Sequence, residues 1–572
     1  MKLIKNATAV KLRGGFYTPE PIAAFILKWG ISGSSDYEIL EPSCGDGVFI
    51  EQLKANNYKF KSVTAIEFDK IEAIKADKIM LNKKSVINTD FHLYCNETTQ
   101  KFDLVVGNPP YIRYQYFQEE QQNEAIKVFN RAKLKYSKLT NAWVSFVVGS
   151  SLLLKDKGKI GFVIPAELLQ VSYAQQLREF LAHFYNKINI ISFEKLVFPD
   201  IQQEVVLLLC EKNGSNSHLI EHLELRDASD LEKLDVNRLK SPSKQIDFKS
   251  NKWTYYFLAQ EEINFLEKIS VKRNIPTIGK YANVEVGITT GSNDYFTVPL
   301  PVVETYDLKE YAKPMVGRSV QVNSVIFTKE DWKLNRQTKA KTHLLVFPPK
   351  KEINEHSGAN SYIKLGESME INKGYKTGIR DDWFVIPSIK LSDALFIRRN
   401  NLYPRLILNE ANAHTTDTMH RVFMKKDTNK DAFIASFYNS LSLAFAEIVG
   451  RSYGGGVLEL MPSEAEKILL PFRIENAELL STIDKMMRNK VSIDQILKIT
   501  NEQILKKGYG FNDEEIKFAD NIWKKLSARR LNRSKLNKKR VFDPIVQRFI
   551  PSTLRQKKMP NLSLFEEKSL SK

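Results

Sequence analysis

Apolar and polar positions follow two rhythms along the first 240 residues, and the alternation between them predicts an α/β fold. Ile22, Phe25, Ile26 and Trp29 recur at i, i+3, i+4 and i+7, one face of a helix that Thr18 and Pro19 are placed to open and Gly30 to close. Short continuous apolar runs at 38–41, 62–66, 85–88, 104–106, 159–167, 188–193 and 204–210 read as buried strands, the last two as an antiparallel end to the sheet. Between them, 141–154 reads as an apolar helix closed by Lys155-Asp156-Lys157-Gly158, and 175–184 as another. The charged, glutamine-rich stretch 117–138 reads as a mobile loop leading into a helix.

Past residue 240 the rhythm breaks. Ser241-Pro242-Ser243-Lys244-Gln245 has the composition of a linker. From there to 470, short β-runs alternate with glycine- and aromatic-bearing loops such as Val284 to Phe296, Lys373 to Arg380 and Arg451 to Glu459, an α+β pattern. Helical periodicity returns over 477–507 as two helices, and no internal repeat is evident. The expected domains are 1–240, 250–470 and a basic helical region 471–550, with 551–572 as a disordered tail.

Composition narrows the function classes. The 572 residues carry 85 Lys and Arg against 67 Asp and Glu, a formal charge of +18, which points to a polyanionic partner. Nine of the 17 residues from 524 to 540 are Lys or Arg and none is acidic, the pattern of phosphate contacts. Three scattered cysteines, Cys44, Cys95 and Cys210, fit a reducing compartment and argue against a structural metal. The chain shows no signal-peptide pattern near Met1 and no apolar run long enough to span a membrane, so a cytoplasmic protein without a membrane partner is expected.

Candidate chemistry sits at strand ends. The first strand ends at Glu41 and runs into Pro42-Ser43-Cys44-Gly45-Asp46-Gly47, a glycine-bearing loop at the edge where open α/β sheets bind cofactors. Glu41 would repel a pyrophosphate but accept the cationic end of an amino acid or a sulfonium, which favours S-adenosylmethionine over a dinucleotide. Glu67 follows Gly47 by 20 residues, the spacing for gripping ribose hydroxyls; Phe68 can stack on an adenine and Asp90 can accept from its amino group. The fourth strand ends in Asn108-Pro109-Pro110-Tyr111. Its prolines fix the backbone and remove two donors, leaving the Asn108 side chain and a neighbouring carbonyl as rigid acceptors beside a flat ring. Phe198 lies on a later loop at the same edge.

The order Thr18-Pro19, Glu41 to Gly47, Asn108 to Tyr111 and Phe198-Pro199, followed by a long C-terminal region, resembles the gamma class of N6-adenine DNA methyltransferases of restriction–modification systems. The resemblance implies a Rossmann-like S-adenosylmethionine-dependent domain with a C-terminal α+β target-recognition region. It implies that Tyr17, Thr18, Pro19, Glu41, Pro42, Cys44, Gly45, Gly47, Glu67, Phe68, Asp90, Phe91 and Asn108 line the cofactor. Asn108, Pro109, Pro110 and Tyr111 would grip the target amino group, and Tyr111 and Phe198 would stack on a flipped adenine. Arg380, Arg451, Tyr453, Arg529, Arg530 and Arg533 are the candidate DNA contacts, and no metal is expected.

Two alternatives stand beside this reading: a protein-glutamine or RNA amine methyltransferase, and a catalytically silent DNA-binding specificity subunit. The partner expected is double-stranded DNA, on which an asymmetric contact allows a monomer. The sequence carries no nuclease motif, which leaves cleavage to a separately encoded restriction endonuclease.

Overall fold

The computed structural model describes residues 17–31, 36–80, 86–112, 116–137, 140–198, 203–236, 243–246, 248, 252–354, 357–453 and 455–532. Arg533, the tail from 551 and linker residues 241 and 242 lie outside the described residues.

Among the described residues, the first half is built on nine strands: β1 (Glu38–Glu41), β2 (Ser62–Glu67), β3 (Ile87–Asn88), β4 (Phe102–Gly107), β5 (Leu154–Pro165), β6 (Lys187–Phe193), β7 (Val205–Glu211), β8 (Leu219–Leu225) and β9 (Lys244–Gln245). Their order is β3-β2-β1-β4-β5-β7-β6-β8-β9. Strands β3 through β5 run parallel, and β7 lies antiparallel to both β5 and β6. Winding proceeds outward in both directions from the β1–β4 pair, so a crevice opens above the C-terminal ends of those two strands.

Alternate side chains go to opposite faces of the sheet. Ile39, Leu104, Val106, Leu207 and Leu209 face α1 (Glu20–Gly30) and its Ile22, Phe25, Ile26 and Trp29. Leu40, Val105, Leu208 and Cys210 face the other core, with Phe91 of α4 (Phe91–Glu97) and Trp143 of α6 (Trp143–Leu152). Helices α2 (Val48–Ala55) and α3 (Lys70–Asp77) follow β1 and β2, and α5 (Glu119–Arg131) and α7 (Gln175–Phe184) complete the layers.

Several expectations are corrected here. Pro19, not Thr18, stands at the cap of α1, and Thr18 is buried instead. The stretch expected as a loop leading into a helix does contain the helix, which begins already at Glu119; its few buried residues, Ala125, Val128 and Phe129, form a narrow apolar stripe on a polar helix. Helix α6 ends at Leu152, and Lys155 to Gly158 lie inside β5 as the unpaired residues of a register shift, between Leu154 opposite Phe102 and Lys159 opposite Leu104. The sheet does not finish at β7. Strand β8 pairs with β6, and β9 closes the edge inside the supposed linker, so the fold of the first half runs past residue 240.

Among the described residues, the second half mixes helices with two four-stranded sheets and a three-stranded one. The parts used below are β10 (Ala282–Val286), β11 (Thr297–Val298), β12 (Arg451–Tyr453), β13 (Val457–Glu459), α8 (Ser440–Val449) and α9 (Asp513–Asn532). The halves share an apolar core through Trp253, Tyr256 and the buried face of α8.

Helix α9 carries the start of the basic run, and the structure gives its cations other work. Lys524 pairs with Asp494 and Asp520, and Lys525 with Glu262. Arg529 pairs with Glu224 of β8 at 2.8 Å and lies 3.4 Å from the centroid of the Phe257 ring. Arg530, 1% exposed, makes a two-pronged bond to Glu447 of α8 at 2.7 and 3.0 Å. A buried guanidinium requires such partners, so Arg529 fastens α9 to the sheet of the first half, Arg530 ties α9 to α8 within the second half, and both guanidinium groups are engaged by the protein itself. Among the described residues no single helix is long and apolar enough to cross a membrane.

Candidate active site

The C-terminal ends of β1, β2 and β4 surround a cavity of about 560 Å³. Its wall includes Tyr17, Thr18, Glu41, Pro42, Cys44, Gly45, Glu67, Phe68, Asp90, Phe91, Asn108 and Pro110. Pro19, Gly47, Pro109, Tyr111 and Phe198, which the resemblance also implied, are not among its lining residues. Asp46 of the loop after β1, Thr89 after β3, Glu72 of α3, Gln121 of α5 and Tyr116 also line it, and the last three had no signal of their own in the sequence.

The loop after β1 is shaped by glycine. Gly45 and Gly47 have φ of +53° and +95°, and a Cβ on Gly47 would meet Ile79 at 2.7 Å. The turn is pinned to its neighbour: the Cys44 amide donates to the Ile66 carbonyl at 2.9 Å, and the Gly45 amide to Glu67 Oε2 at 2.9 Å. Glu67 Oε1 accepts from the Asp69 amide at 2.7 Å. Burial nonetheless holds the Glu67 pKa above its ordinary value.

Glu41 is the least compensated group in the cavity. It is 2% exposed, and its Oε2 has no hydrogen-bond partner among the described residues. Burial, with Glu67 and Asp46 nearby, pushes its pKa well above the carboxylate range. Asp90 is the opposite case. Burial works against its charge, but contacts with His92, Gln121 and the Leu93 amide outweigh it and hold its pKa low. Its Oδ1 caps α4, and its Oδ2 accepts from Gln121 Nε2 at 3.0 Å. This acidic lining suits a cation or sugar hydroxyls and disfavours phosphate. Cys44 is buried and its thiol is pushed up by that burial, which leaves it no nucleophilic character at neutral pH. Among the described residues no group of His, Cys, Asp and Glu could hold a metal ion.

Asn108 opens onto the cavity from the end of β4. The Tyr111 hydroxyl lies 2.6 Å from Asn108 Oδ1 and 3.1 Å from the Val163 carbonyl of β5, within donating distance of both. The Tyr111 ring packs against both cores, and Phe198, 8% exposed, sits in one of them. The structure thus joins Tyr111 to Asn108 and makes Phe198 a core residue of one of the clusters that Tyr111 packs against.

The remaining candidates lie in the second half. Arg451 is paired with Glu464 at 2.9 Å, and the Tyr453 hydroxyl donates to Glu459 at 2.9 Å. Arg380 donates inward to the carbonyls of Thr289 and Trp383. All three are braced by the protein itself.

Two family models match this chain: residues 20–198 match the Eco57I restriction-modification methylase, and residues 250–505 match the C-terminal domain of the Type II methyltransferase M.Eco57I. The chain is 26% identical over 508 residues to the Type II methyltransferase M.AccI of Acinetobacter calcoaceticus, covering 85% of this chain and 88% of that one. It is 29% identical over 227 residues to M.HincII of Haemophilus influenzae, about two fifths of either protein. Among solved structures, the Type IIL restriction-modification enzyme MmeI in complex with DNA aligns with a TM-score of 0.55 at 11% identity, over 89% of this chain and 75% of that one. The first half therefore has the Rossmann-like methyltransferase fold. Matched in both halves and along most of its length, the chain belongs to the DNA methyltransferases of restriction–modification systems.

Proposed function

We propose that this chain is an S-adenosylmethionine-dependent, adenine-specific DNA methyltransferase acting on N6 of a base turned out of a specific duplex sequence. The observation that carries the reading is one cavity lined by both Glu41, whose buried Oε2 has no hydrogen-bond partner among the described residues, and Asn108, a neutral acceptor.

The donor set fits the cofactor. S-adenosylmethionine supplies a methyl group activated by a sulfonium centre. Glu41 would hold the cationic methionine end, Glu67 the ribose hydroxyls, Asp90 the adenine amino group, and exposed Phe68 a ring face, with Tyr17 and Thr18 covering the methionine side. Such a pocket holds the donor by its charge and its hydroxyls.

Adenine N6 is a weak nucleophile because its lone pair is delocalised into the ring. Asn108 Oδ1 and the Pro109 carbonyl would accept from its two N–H bonds and favour a localised lone pair. Both acceptors are neutral, so they orient the amine without keeping the proton it sheds, which leaves to water. Positioning supplies much of the rate in such a transfer. A base inside a duplex cannot reach the cavity, so it must be extruded, with Tyr111 and Phe198 as stacking surfaces. The action is cytoplasmic, and a separately encoded endonuclease for the same site is the expected companion.

Asn108→Ala tests this. Methyl transfer to plasmid DNA should fall by roughly 10³-fold while S-adenosylmethionine binding survives, and the wild type should leave N6-methyladenine in one sequence motif. Retained turnover, or methyl transfer to tRNA or release factor in place of plasmid, would overturn the reading.

A further inference from the structure

Two distant turns of the second half share a pattern that the sequence reading passed over. Gly287-Ile288-Thr289-Thr290-Gly291 and Gly374-Tyr375-Lys376-Thr377-Gly378 are both G-x-x-T-G. Each is followed by an acid and an aromatic pair, Asp294-Tyr295-Phe296 and Asp382-Trp383-Phe384. The structure places them face to face. A Cβ on Gly291 would lie 2.9 Å from the Thr377 methyl, and Arg380 donates across to the Thr289 carbonyl at 3.3 Å. Tyr295 and Trp383 are in ring contact at 5.3 Å.

Each turn is stiffened from within. Thr290 and Thr377 are 1% and 0% exposed; the first donates to Asn293 at 2.7 Å and the second to the Gly374 carbonyl at 3.1 Å. Gly287 admits no side chain, because a Cβ there would meet the Thr416 carbonyl at 1.8 Å. On this rigid base Tyr375 is 87% exposed and Ile379 76%, with the exposed Lys376 between them. Two large apolar groups held in water on a braced turn, with a lysine alongside, have the composition of a surface that meets bases and phosphates.

The paired turns are also joined to the catalytic edge. Asn293 donates to Asp417, whose carbonyl accepts from Arg398; Arg398 donates to Glu459, which accepts from Tyr453. Next to Tyr453, Ser452 of β12 exchanges two backbone bonds of 2.8 Å with the side chain of Gln170, which follows the C-terminal end of β5.

We propose that the paired G-x-x-T-G turns are an edge that engages the target duplex, with Tyr375 and Ile379 entering a groove and Lys376 taking a phosphate. The inference rests on the chain being a DNA methyltransferase. It moves the contact away from Arg380, which the turn itself consumes.

The test uses the full chain and a duplex carrying the motif that methylation mapping finds for the wild type. Tyr375→Ala combined with Ile379→Ala should raise KM for DNA about tenfold, with kcat at saturating DNA, S-adenosylmethionine binding and melting temperature unchanged. Tyr375→Phe should restore the lower KM. Lys376→Ala should reduce the log–log salt slope of binding by about one, and the apolar variants should not. Variants with wild-type KM overturn this inference alone. A wild type that methylates no DNA overturns the proposed function and this inference with it.

Discussion

The Tyr111 hydroxyl donates to the side-chain oxygen of Asn108 across 2.6 Å, so the acceptor assigned to the substrate amine is engaged by the aromatic ring beside it. An incoming base must displace that hydroxyl before its amino group can reach Asn108. A neutral hydrogen bond of this kind contributes about 1 kcal/mol, or about fivefold in an equilibrium. Tyr111→Phe keeps the ring and removes the competing donor. It should raise the fluorescence of 2-aminopurine placed next to the target adenine by shifting that adenine outward about fivefold. Tyr111→Ala should lower it through lost stacking. A Phe variant with a weaker signal than wild type would count against displacement of the hydroxyl.

Glu41 should set stability and cofactor affinity against each other. Its pKa in the folded chain lies above its ordinary 4.5, so its contribution is most favourable below that value. It is lost as pH rises through the folded pKa. Ligand-free protein should therefore become less stable as pH rises from about 4.5, and Glu41→Gln should flatten that slope and raise the melting temperature at pH 8. The same substitution should weaken S-adenosylmethionine binding at least tenfold, because one neutralised buried contact to a cation is worth about 1.5–3 kcal/mol. Calorimetric titration at pH 6 and pH 8 reads both effects. Unchanged affinity in Glu41→Gln would remove Glu41 from the cationic end of the ligand.

These features were unequally visible before the structure. Glu41, Glu67 and Asp90 stood out because each closes an apolar strand, and open α/β sheets place their ligands at strand ends. The Tyr111–Asn108 bond depends on a side-chain rotation that no spacing encodes. Strand β8 was missed because Glu221, His222 and Glu224 interrupt its apolar pattern, and these residues find partners only in the assembled sheet. Lys155 to Gly158 keep their turn chemistry as the unpaired bulge of β5, between Leu154 opposite Phe102 and Lys159 opposite Leu104, an interruption that spacing alone does not distinguish from a strand end. The basic run misled for a related reason. The acids that Arg529 and Arg530 meet, Glu224 and Glu447, lie hundreds and tens of residues away in sequence.

Arg530 provides the check on that last correction. Its guanidinium is buried against Glu447 and also donates to the carbonyls of Asn401 and Gly456, the latter in the glycine turn between β12 and β13. Arg530→Ala would leave the Glu447 charge buried and alone, which costs about 3–5 kcal/mol. Replacing both partners, Arg530→Met with Glu447→Leu, removes the stranded charge and should recover much of that loss. Urea unfolding of the three proteins measures the difference. In the double variant, the salt dependence of DNA binding should match wild type, because neither residue meets a phosphate. A small stability loss in Arg530→Ala together with a shallower salt slope would instead return Arg530 to the DNA interface.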